Sequence, residues 1–228
     1  MYDAQLSGDD KGGLTLSLQP YYPARSLTEP RALKERAQSF RSHYPEFPML
    51  NLRATQGGVY GYEARIRTGH ITCDQVYANG FLWHHSNRLL QFKNQLFPGS
   101  AEQPYLYIGQ IANQLFAFLK AAQKFYAEFN YHGLLVGELA LSGIRHASCM
   151  PIVPNGYHFV GDPVVNVRPA LRRALELDTH ITSSEIDLEN YFISFIEQLY
   201  WDLGIEEGDP STKIKAMLKQ NGLLVSEA

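Results

Sequence analysis

Two adjacent histidines lie in the segment "CDQVYANGFLWHHS", residues 73–86, together with a carboxylate, a tryptophan and a thiol. Histidine and carboxylate side chains can transfer protons or bind a metal ion, and a thiolate can act as a nucleophile. Asn79-Gly80 in the middle of the segment is a strong hairpin signal, because a type I′ turn needs a positive φ at both central residues. The sequence therefore predicts two antiparallel strands that assign each of these side chains to one face.

A two-residue turn at Asn79-Gly80 places Asp74 opposite His85. His84 and His85 then point to opposite faces and cannot both bind one metal ion from regular strand geometry. Asp74 and His85 remain as a candidate catalytic pair, because a neighbouring carboxylate raises the pKa of an imidazole and orients its ring. The sequence offers no nucleophile or pocket beside them, so a structural or surface pair is favoured over a catalytic one.

Trp83 is a candidate binding residue, since aromatic side chains on a sheet can stack on the bases of single-stranded RNA. In the predicted register Trp83 and Phe81 share a face with Asp74, and Tyr77 lies on the other face. Core packing is the favoured interpretation of Trp83, because aromatic side chains bury large areas where a sheet meets a helix.

Recognised motifs for other chemistry are absent from the sequence. Cys149 follows His146 in "HASC", but two ligands do not make a zinc site, and the chain has no CxxC or HExxH. Cys73 has no cationic neighbour in sequence that would lower its pKa. Phosphate-binding glycine loops and the GxSxG elbow are also missing. We therefore expect no metal and no cofactor, and enzyme activity is the less favoured class.

The charge balance argues against a global attraction to nucleic acid. Twenty Lys and Arg face 23 Asp and Glu, a formal charge of -3, so any phosphate contact must be local. A solvated face is the favoured interpretation of the basic residues. Two groups remain as candidates for nucleic-acid contact: Arg31, Lys34 and Arg41 on a helix predicted between residues 29 and 44, and Arg168, Arg172 and Arg173.

The elements that position these residues follow from hydrophobic spacing. Long helices are predicted at about 104–131 and 184–203, the second with a capping box formed by Thr182 and Glu185. Residues 59–91 alternate with period two, which indicates an antiparallel meander. "LLVGELALSGI" continues this pattern, whereas "PALRRALELDTHI" fits either period. The predicted fold class is α+β, with antiparallel hairpins covered by two long amphipathic helices.

This pattern predicts one main domain with short flanking segments. A second hairpin is expected at Asn155-Gly156, and a short helix is expected to start near Pro210. The predicted organisation is a flexible lead-in at 1–13, a single domain at 14–206 with two possible strand-then-helix halves at about 58–131 and 133–203, and a tail at 207–228.

Cysteine usage and hydropathy predict a cytoplasmic protein that does not enter a membrane. Two cysteines are too few for a disulfide framework, and the chain opens without the pattern of a signal peptide. Polar residues, among them Gln114 and Lys120, interrupt the most apolar stretch before it reaches the length of a membrane span.

Four segments carry a resemblance to a known family: "PMLNL", "YEARIRTGHITCDQVYANGFLWH", "YLYIGQIANQLFAFLKAAQKFYAEFNYHGLLVGELALSGI" and "THITSSEIDLENYFISFIEQLYWDLGIE". In their order over about residues 14–206 they resemble the C-terminal region of bacterial proteins that carry an N-terminal Schlafen-type AlbA_2 domain, a class assigned to DNA binding. The nucleic-acid-binding features of such proteins belong to the N-terminal domain, and none of them has a matching position here. The resemblance therefore implies an accessory, sensory or assembly role in a bacterial regulatory or defence system.

Three functions remain open at this point. The leading hypothesis is a non-catalytic accessory, sensory or interaction domain with a protein partner or with self-association through exposed sheet edges. The alternatives are a nucleic-acid-binding module that uses the basic groups and a hydrolase that uses Asp74 and His85.

Overall fold

The computed structural model describes residues 12–22, 26–29, 31–33, 53–65, 70–87, 89–92, 104–152, 164–206 and 208–221. These residues form an α+β fold, as predicted. In chain order the elements are β1 (Gly13–Pro20), β2 (Arg53–Thr55), β3 (Gly58–Arg65), β4 (His70–Tyr77), β5 (Leu82–Ser86), β6 (Leu90–Phe92), β7 (Pro104–Tyr107), α1 (Ile108–Glu128), β8 (Leu135–Ser142), β9 (Ser148–Met150), β10 (Val164–Val165), β11 (Ala170–Leu177), α2 (Thr179–Ser183), α3 (Glu185–Asp202) and α4 (Pro210–Gln220).

A seven-stranded antiparallel sheet forms the largest layer, with the strand order β11-β8-β1-β5-β4-β3-β2. β1 is an interior strand, third in this order, and its Leu14, Leu16 and Leu18 alternate with partly buried polar residues, so that one face of the strand belongs to the core. β1 pairs with β5 on one side and with β8 on the other. Strands from both predicted halves of the chain therefore share one sheet.

A second sheet has the order β10-β9-β7-β6 and contains one parallel pair, β7 with β9. β7 occupies residues 104–107, where the sequence predicts the first turn of the long helix. These residues pair with β6 and β9 instead, and Tyr107 then becomes the residue that precedes α1. Tertiary pairing has here overridden the local helical pattern.

The two long helices, α1 and α3, pack on each other and on the core. Phe116 of α1 and Phe192 of α3 place their ring centroids 4.8 Å apart. Lys120, in the middle of α1, is buried, and its Nζ lies 3.2 Å from Oε1 of Glu185 at the start of α3. This pairing explains how the helix accommodates a charge that the sequence places on a covered surface.

The helix starts differ in part from the sequence-based expectation. The predicted capping box of Thr182 and Glu185 is wrong, because Ser184 caps α3 by accepting the N–H of Asp187. Asp178 caps the short helix α2 in the same way. The expected helix near Pro210 is present as α4.

The tail helix α4 packs on the main domain rather than extending away from it. Ile214, Met217 and Leu218 of α4 are buried in the common core. The predicted turn at Asn155-Gly156 and most of the lead-in lie outside the described residues. Within the described ranges, no helix is long and apolar enough to cross a membrane.

Candidate functional site

The β4–β5 hairpin closes with a loop of three residues, so the predicted two-residue turn is wrong. Gly80 N–H donates to the Tyr77 carbonyl at 2.9 Å, and Tyr77 N–H donates to the Phe81 carbonyl at 2.9 Å. Gly80 has φ +90°, whereas Asn79 does not adopt the positive φ that a type I′ turn requires. A three-residue loop with glycine in the left-handed region is the next commonest hairpin connection.

The extra loop residue shifts the register by one position. Asp74 lies opposite His84, and Cys73 lies opposite His85. The predicted pairing of Asp74 with His85 is therefore wrong, because in a pleated strand a one-residue slip exchanges the faces of all facing side chains. The expectation that His84 and His85 point to opposite faces is confirmed by their different contacts.

Asp74, His84 and Gln114 form a polar cluster on the core face. Nδ1 of His84 lies 2.6 Å from Oδ1 of Asp74, and its Nε2 lies 3.2 Å from Oε1 of Gln114 on α1. Asp74 is fully buried and His84 is 4% exposed. Oδ2 of Asp74 has no hydrogen-bond partner among the described residues. With oxygen acceptors at both ring nitrogens, the doubly protonated imidazolium satisfies the geometry best.

Opposing effects set the pKa of each partner. Burial lowers the pKa of His84, but the Asp74 charge and the hydrogen bonds that the ring makes to the oxygens of Asp74 and Gln114 raise the pKa more, and the net direction is upward. Burial raises the pKa of Asp74, and His84 offsets part of this increase. The pKa values of Asp74 and His84 are therefore both raised, which means that each group binds a proton more tightly than it does in water. The two acceptors around the ring place that proton on His84.

This cluster has the composition of an acid–base dyad without the access that catalysis requires. Both members are covered by the core, and neither lines the two cavities described below. Among the residues that the structure describes, no three His, Cys, Asp or Glu side chains lie close enough to hold a metal ion. The arrangement joins β4, β5 and α1, which is a structural role.

His85 and Trp83 lie on the opposite face of the sheet. Nδ1 of His85 is 3.0 Å from the Thr15 hydroxyl, and its ring stacks on Trp83 with centroids 5.7 Å apart. Burial, followed by the charge of His84, lowers the pKa of His85. The predicted face of Trp83 is wrong. Trp83 is half-buried and does not belong to the core cluster.

Both cysteines are protonated at neutral pH. Burial raises the pKa of Cys73 to about 11, with a further increase from Asp74 and a smaller decrease from Gln75. Burial also raises the pKa of Cys149 to about 11. A thiol rather than a thiolate is a poor nucleophile and a poor metal ligand. The interpretation of Cys149 as a free, buried thiol is confirmed.

The structure describes only some of the basic residues predicted to contact nucleic acid, and two of those it describes lie near carboxylates. Arg31 is exposed, and Lys34 and Arg41 lie outside the described residues. Arg172 lies 3.8 Å from Glu138, although its side chain is 76% exposed.

Arg173 is engaged more completely than Arg172. Its guanidinium donates to Asp202 and to Gln198 and lies over the ring of Phe195. The opposite charge of Asp202 removes much of the positive potential that nucleic-acid binding would use.

The larger cavity is a groove of about 640 Å³ between β11 and α3, which we term the edge groove. β11 is an edge strand of the seven-stranded sheet. Six residues that define the walls of the edge groove are Arg168, Arg172, Arg173, Tyr191, Phe195 and Gln198. This groove was not identified from the sequence, which predicts the helix that carries Tyr191 and Phe195 but leaves the period of residues 169–181 ambiguous.

The backbone of β11 has hydrogen-bonding groups directed at this groove. Glu176 N–H donates to the Tyr191 hydroxyl at 3.1 Å, so this amide faces away from β8. Backbone direction alternates along a strand, so the amides of Arg172 and Ala174 face the same way. No described residue accepts a hydrogen bond from these two amides.

A second cavity of about 540 Å³ lies at the end of α3. Its lining includes Trp201, which is 84% exposed, together with Ile205, Pro210, Glu197 and Glu206.

Comparisons of the chain with protein-family models, with curated proteins and with solved structures give no match.

Proposed function

We propose that this protein is a non-catalytic protein-interaction domain that binds an extended segment in the edge groove. The observation that carries the proposal is the outward-facing edge of β11 beside a groove walled by α3. A strand added to such an edge gains main-chain hydrogen bonds, and its alternate side chains enter the groove. The edge of β11 would therefore supply affinity through main-chain hydrogen bonds, and the adjoining groove would supply specificity for side chains.

The side chains of the groove suit a polypeptide. Tyr191 and Phe195 offer aromatic surface, and Gln198 and Ser194 offer polar contacts. Aromatic residues with a polar rim are enriched where proteins bind one another. Arg168 and Arg172, both exposed, favour an acidic residue in the bound segment.

The two alternative functions have less support from the geometry. A hydrolase would require access to its acid–base pair, and the pair present is Asp74 with His84 inside the core. A nucleic-acid-binding module would use Arg172 and Arg173, yet Arg173 pairs with Asp202 and the chain carries a net charge of -3. Protein binding uses the same groove without needing a net positive field.

The resemblance over residues 14–206 extends the proposal. We propose an accessory domain of a bacterial cytoplasmic protein, linked to a nucleic-acid-binding regulatory or defence system through its protein partner. This cellular context rests on the resemblance alone, whereas the binding mode rests on the edge groove.

Selection from a library of displayed random peptides tests the binding mode. The wild-type protein is immobilised, enriched peptides are synthesised, and binding is measured by fluorescence anisotropy. Ser194→Trp fills the groove, and Ala174→Pro removes an outward-facing amide at an edge position that tolerates proline. Asn190→Trp is the matched control, since Asn190 is an exposed residue of α3 that does not line the groove.

We expect enriched peptides to bind the wild type and Asn190→Trp equally. Binding to Ser194→Trp and to Ala174→Pro should be weaker by at least about tenfold. Failure to enrich any peptide, or equal binding to all four proteins, would overturn the proposed function.

A further inference from the structure

The exposed face of β11 carries a short pattern of opposite charges. Arg172, Ala174 and Glu176 are exposed and alternate with residues that face the core side of the sheet. The same three residues direct their backbone amides away from β8, toward the outer edge of the sheet. The outward-directed amides therefore recur at every second residue, and the two opposite charges lie at equal distances in sequence on either side of Ala174.

Resting on the proposed function, we propose that the edge groove binds a second copy of this chain, with the two β11 strands antiparallel about a two-fold axis at Ala174. This register places Arg172 opposite Glu176 of the second copy, and the symmetry repeats the ion pair. Opposite charges that face each other across antiparallel strands stabilise the pairing.

Three other registers are less favourable, because each of them places like charges opposite each other. An axis at Arg172 would place two arginines opposite each other, and an axis at Glu176 would do the same with two glutamates. An axis at Arg173 would oppose two more arginines on the helix-covered face. Like charges directly opposite are destabilising. The sequence of β11 therefore selects the axis at Ala174 among these four.

The backbone and the groove are compatible with this arrangement. Ala174 N–H would donate to the Ala174 carbonyl of the second copy, and Arg172 N–H would donate to the Glu176 carbonyl. The two-fold axis keeps both α3 helices on the same face of the continuous sheet, so Tyr191 and Phe195 of each chain close the groove from both sides.

Two existing contacts would change on pairing. The Tyr191 hydroxyl must leave the Glu176 amide, which then donates to the second copy. Arg172 would exchange its 3.8 Å contact with Glu138 for a carboxylate directly opposite it. Because the Arg172 side chain is 76% exposed, it can make this exchange without leaving a buried site.

Charge reversal tests the register through the oligomeric state. Sedimentation velocity of the full chain is measured over a wide range of concentration for the wild type, Arg172→Glu and Glu176→Arg, and for an equimolar mixture of the two variants. Each single variant opposes like charges at both symmetric positions. The mixture restores both ion pairs in a heterodimer. Arg145→Glu, at an exposed loop position, is the control for the change in net charge.

We expect the wild type and Arg145→Glu to dimerise alike, and each single variant to dimerise at least about tenfold more weakly. The mixture should return to the wild-type dissociation constant. A wild type that stays monomeric, or single variants that dimerise like the wild type, would overturn the inference. Circular dichroism spectra establish that each variant is folded.

The peptide selection separates this inference from the proposed function. If the wild type stays monomeric and the selected peptides still require the groove, self-pairing is wrong and the interaction function stands. If the chain is monomeric and no peptide binds, both are wrong.

Discussion

Nδ1 of His84 lies 2.6 Å from Oδ1 of Asp74, and this contact crosses from β5 to β4 inside the core. It forms only in the register that the three-residue loop produces, because a two-residue loop would place Asp74 opposite His85. Gln114 extends the contact to α1. The buried pair therefore couples the hairpin register to the position of the long helix.

Replacing one partner of this pair should destabilise the fold strongly. Asp74→Asn leaves His84 without a counter-ion in the core, and we expect the free energy of unfolding to fall by about 3 kcal/mol. Asp74→Val with His84→Leu replaces both polar groups and should cost less than the single change. Urea unfolding followed by tryptophan fluorescence measures both. A double variant less stable than Asp74→Asn would contradict this account.

The stability of the wild type should decline as the pH rises above 6.5. The pKa of His84 in the folded state lies above its usual 6.5, so the folded state binds more protons than the unfolded state in that window. The stabilisation is complete below about pH 6.5 and is lost as the pH rises through the raised value. The raised pKa of Asp74 acts in the same sense above its usual 3.8.

In Asp74→Asn the decline above pH 6.5 should disappear, because burial then lowers the pKa of His84. Urea midpoints across a pH series provide the measurement. His85 serves as the internal contrast, since its lowered pKa makes stability fall below pH 6.5 instead. An unchanged pH profile in Asp74→Asn would assign the decline to another group.

Hydrophobic periodicity was enough to predict the α+β class and the approximate extents of α1 and α3, because burial of a helix face depends mainly on local spacing. The hairpin register was not predictable in the same way. Ala78 N–H donates to the Gly57 carbonyl, and the Ala78 carbonyl accepts from Leu27 N–H. The Tyr126 hydroxyl donates to the Gly80 carbonyl. These partners are distant in sequence, and together they select the three-residue loop.

The edge groove was also not predictable from the sequence, because it too depends on partners that are distant in the chain. Residues 170–177 alternate, but their leucines also fit a helix, and their strand form depends on the partner β8. That β11 lies at a sheet edge depends on the order of all seven strands. Neither the pairing of β11 with β8 nor its edge position can be predicted from residues 170–177 alone. The spacing of Arg172 and Glu176 therefore does not by itself indicate a strand-pairing surface.

Nucleic acid should not bind this protein with measurable affinity at moderate salt. Arg173 pairs with the carboxylate of Asp202, and the net charge of the chain is -3. Titration with single- and double-stranded nucleic acids at low and moderate salt, followed by Trp83 and Trp201 fluorescence, should give no saturable change. Saturable binding that weakens steeply with salt would instead support counterion release at a basic site.

The two thiols should react slowly in the folded protein. Burial raises the pKa of Cys73 and of Cys149 to about 11, so the thiolate fraction at neutral pH is small. A chromogenic disulfide reagent should modify both rapidly in denaturant and much more slowly without it. Rapid reaction of one thiol in the native state would show that its side chain is accessible and ionised.

Tyr126→Phe should destabilise the hairpin loop that sets the site register. The Tyr126 hydroxyl is buried at the end of α1 and donates to the Gly80 carbonyl at 2.6 Å. Removing it leaves that carbonyl without its donor, and we expect a loss of about 1–2 kcal/mol in the free energy of unfolding. Because the loop selects the register, amide exchange should also accelerate at Gly80 and along β4 and β5.

Tyr131→Phe provides a matched control for the loss of a hydroxyl. The Tyr131 hydroxyl donates to the Leu134 carbonyl at 3.0 Å in a partly exposed connection, where water can replace it. Its removal should cost less than about 0.5 kcal/mol and leave exchange in β4 and β5 unchanged. Equal losses in the two variants would mean that the Gly80 contact does not hold the loop. A larger loss confined to Tyr126→Phe, with faster exchange at Gly80, would establish that α1 fixes the register that brings Asp74 to His84.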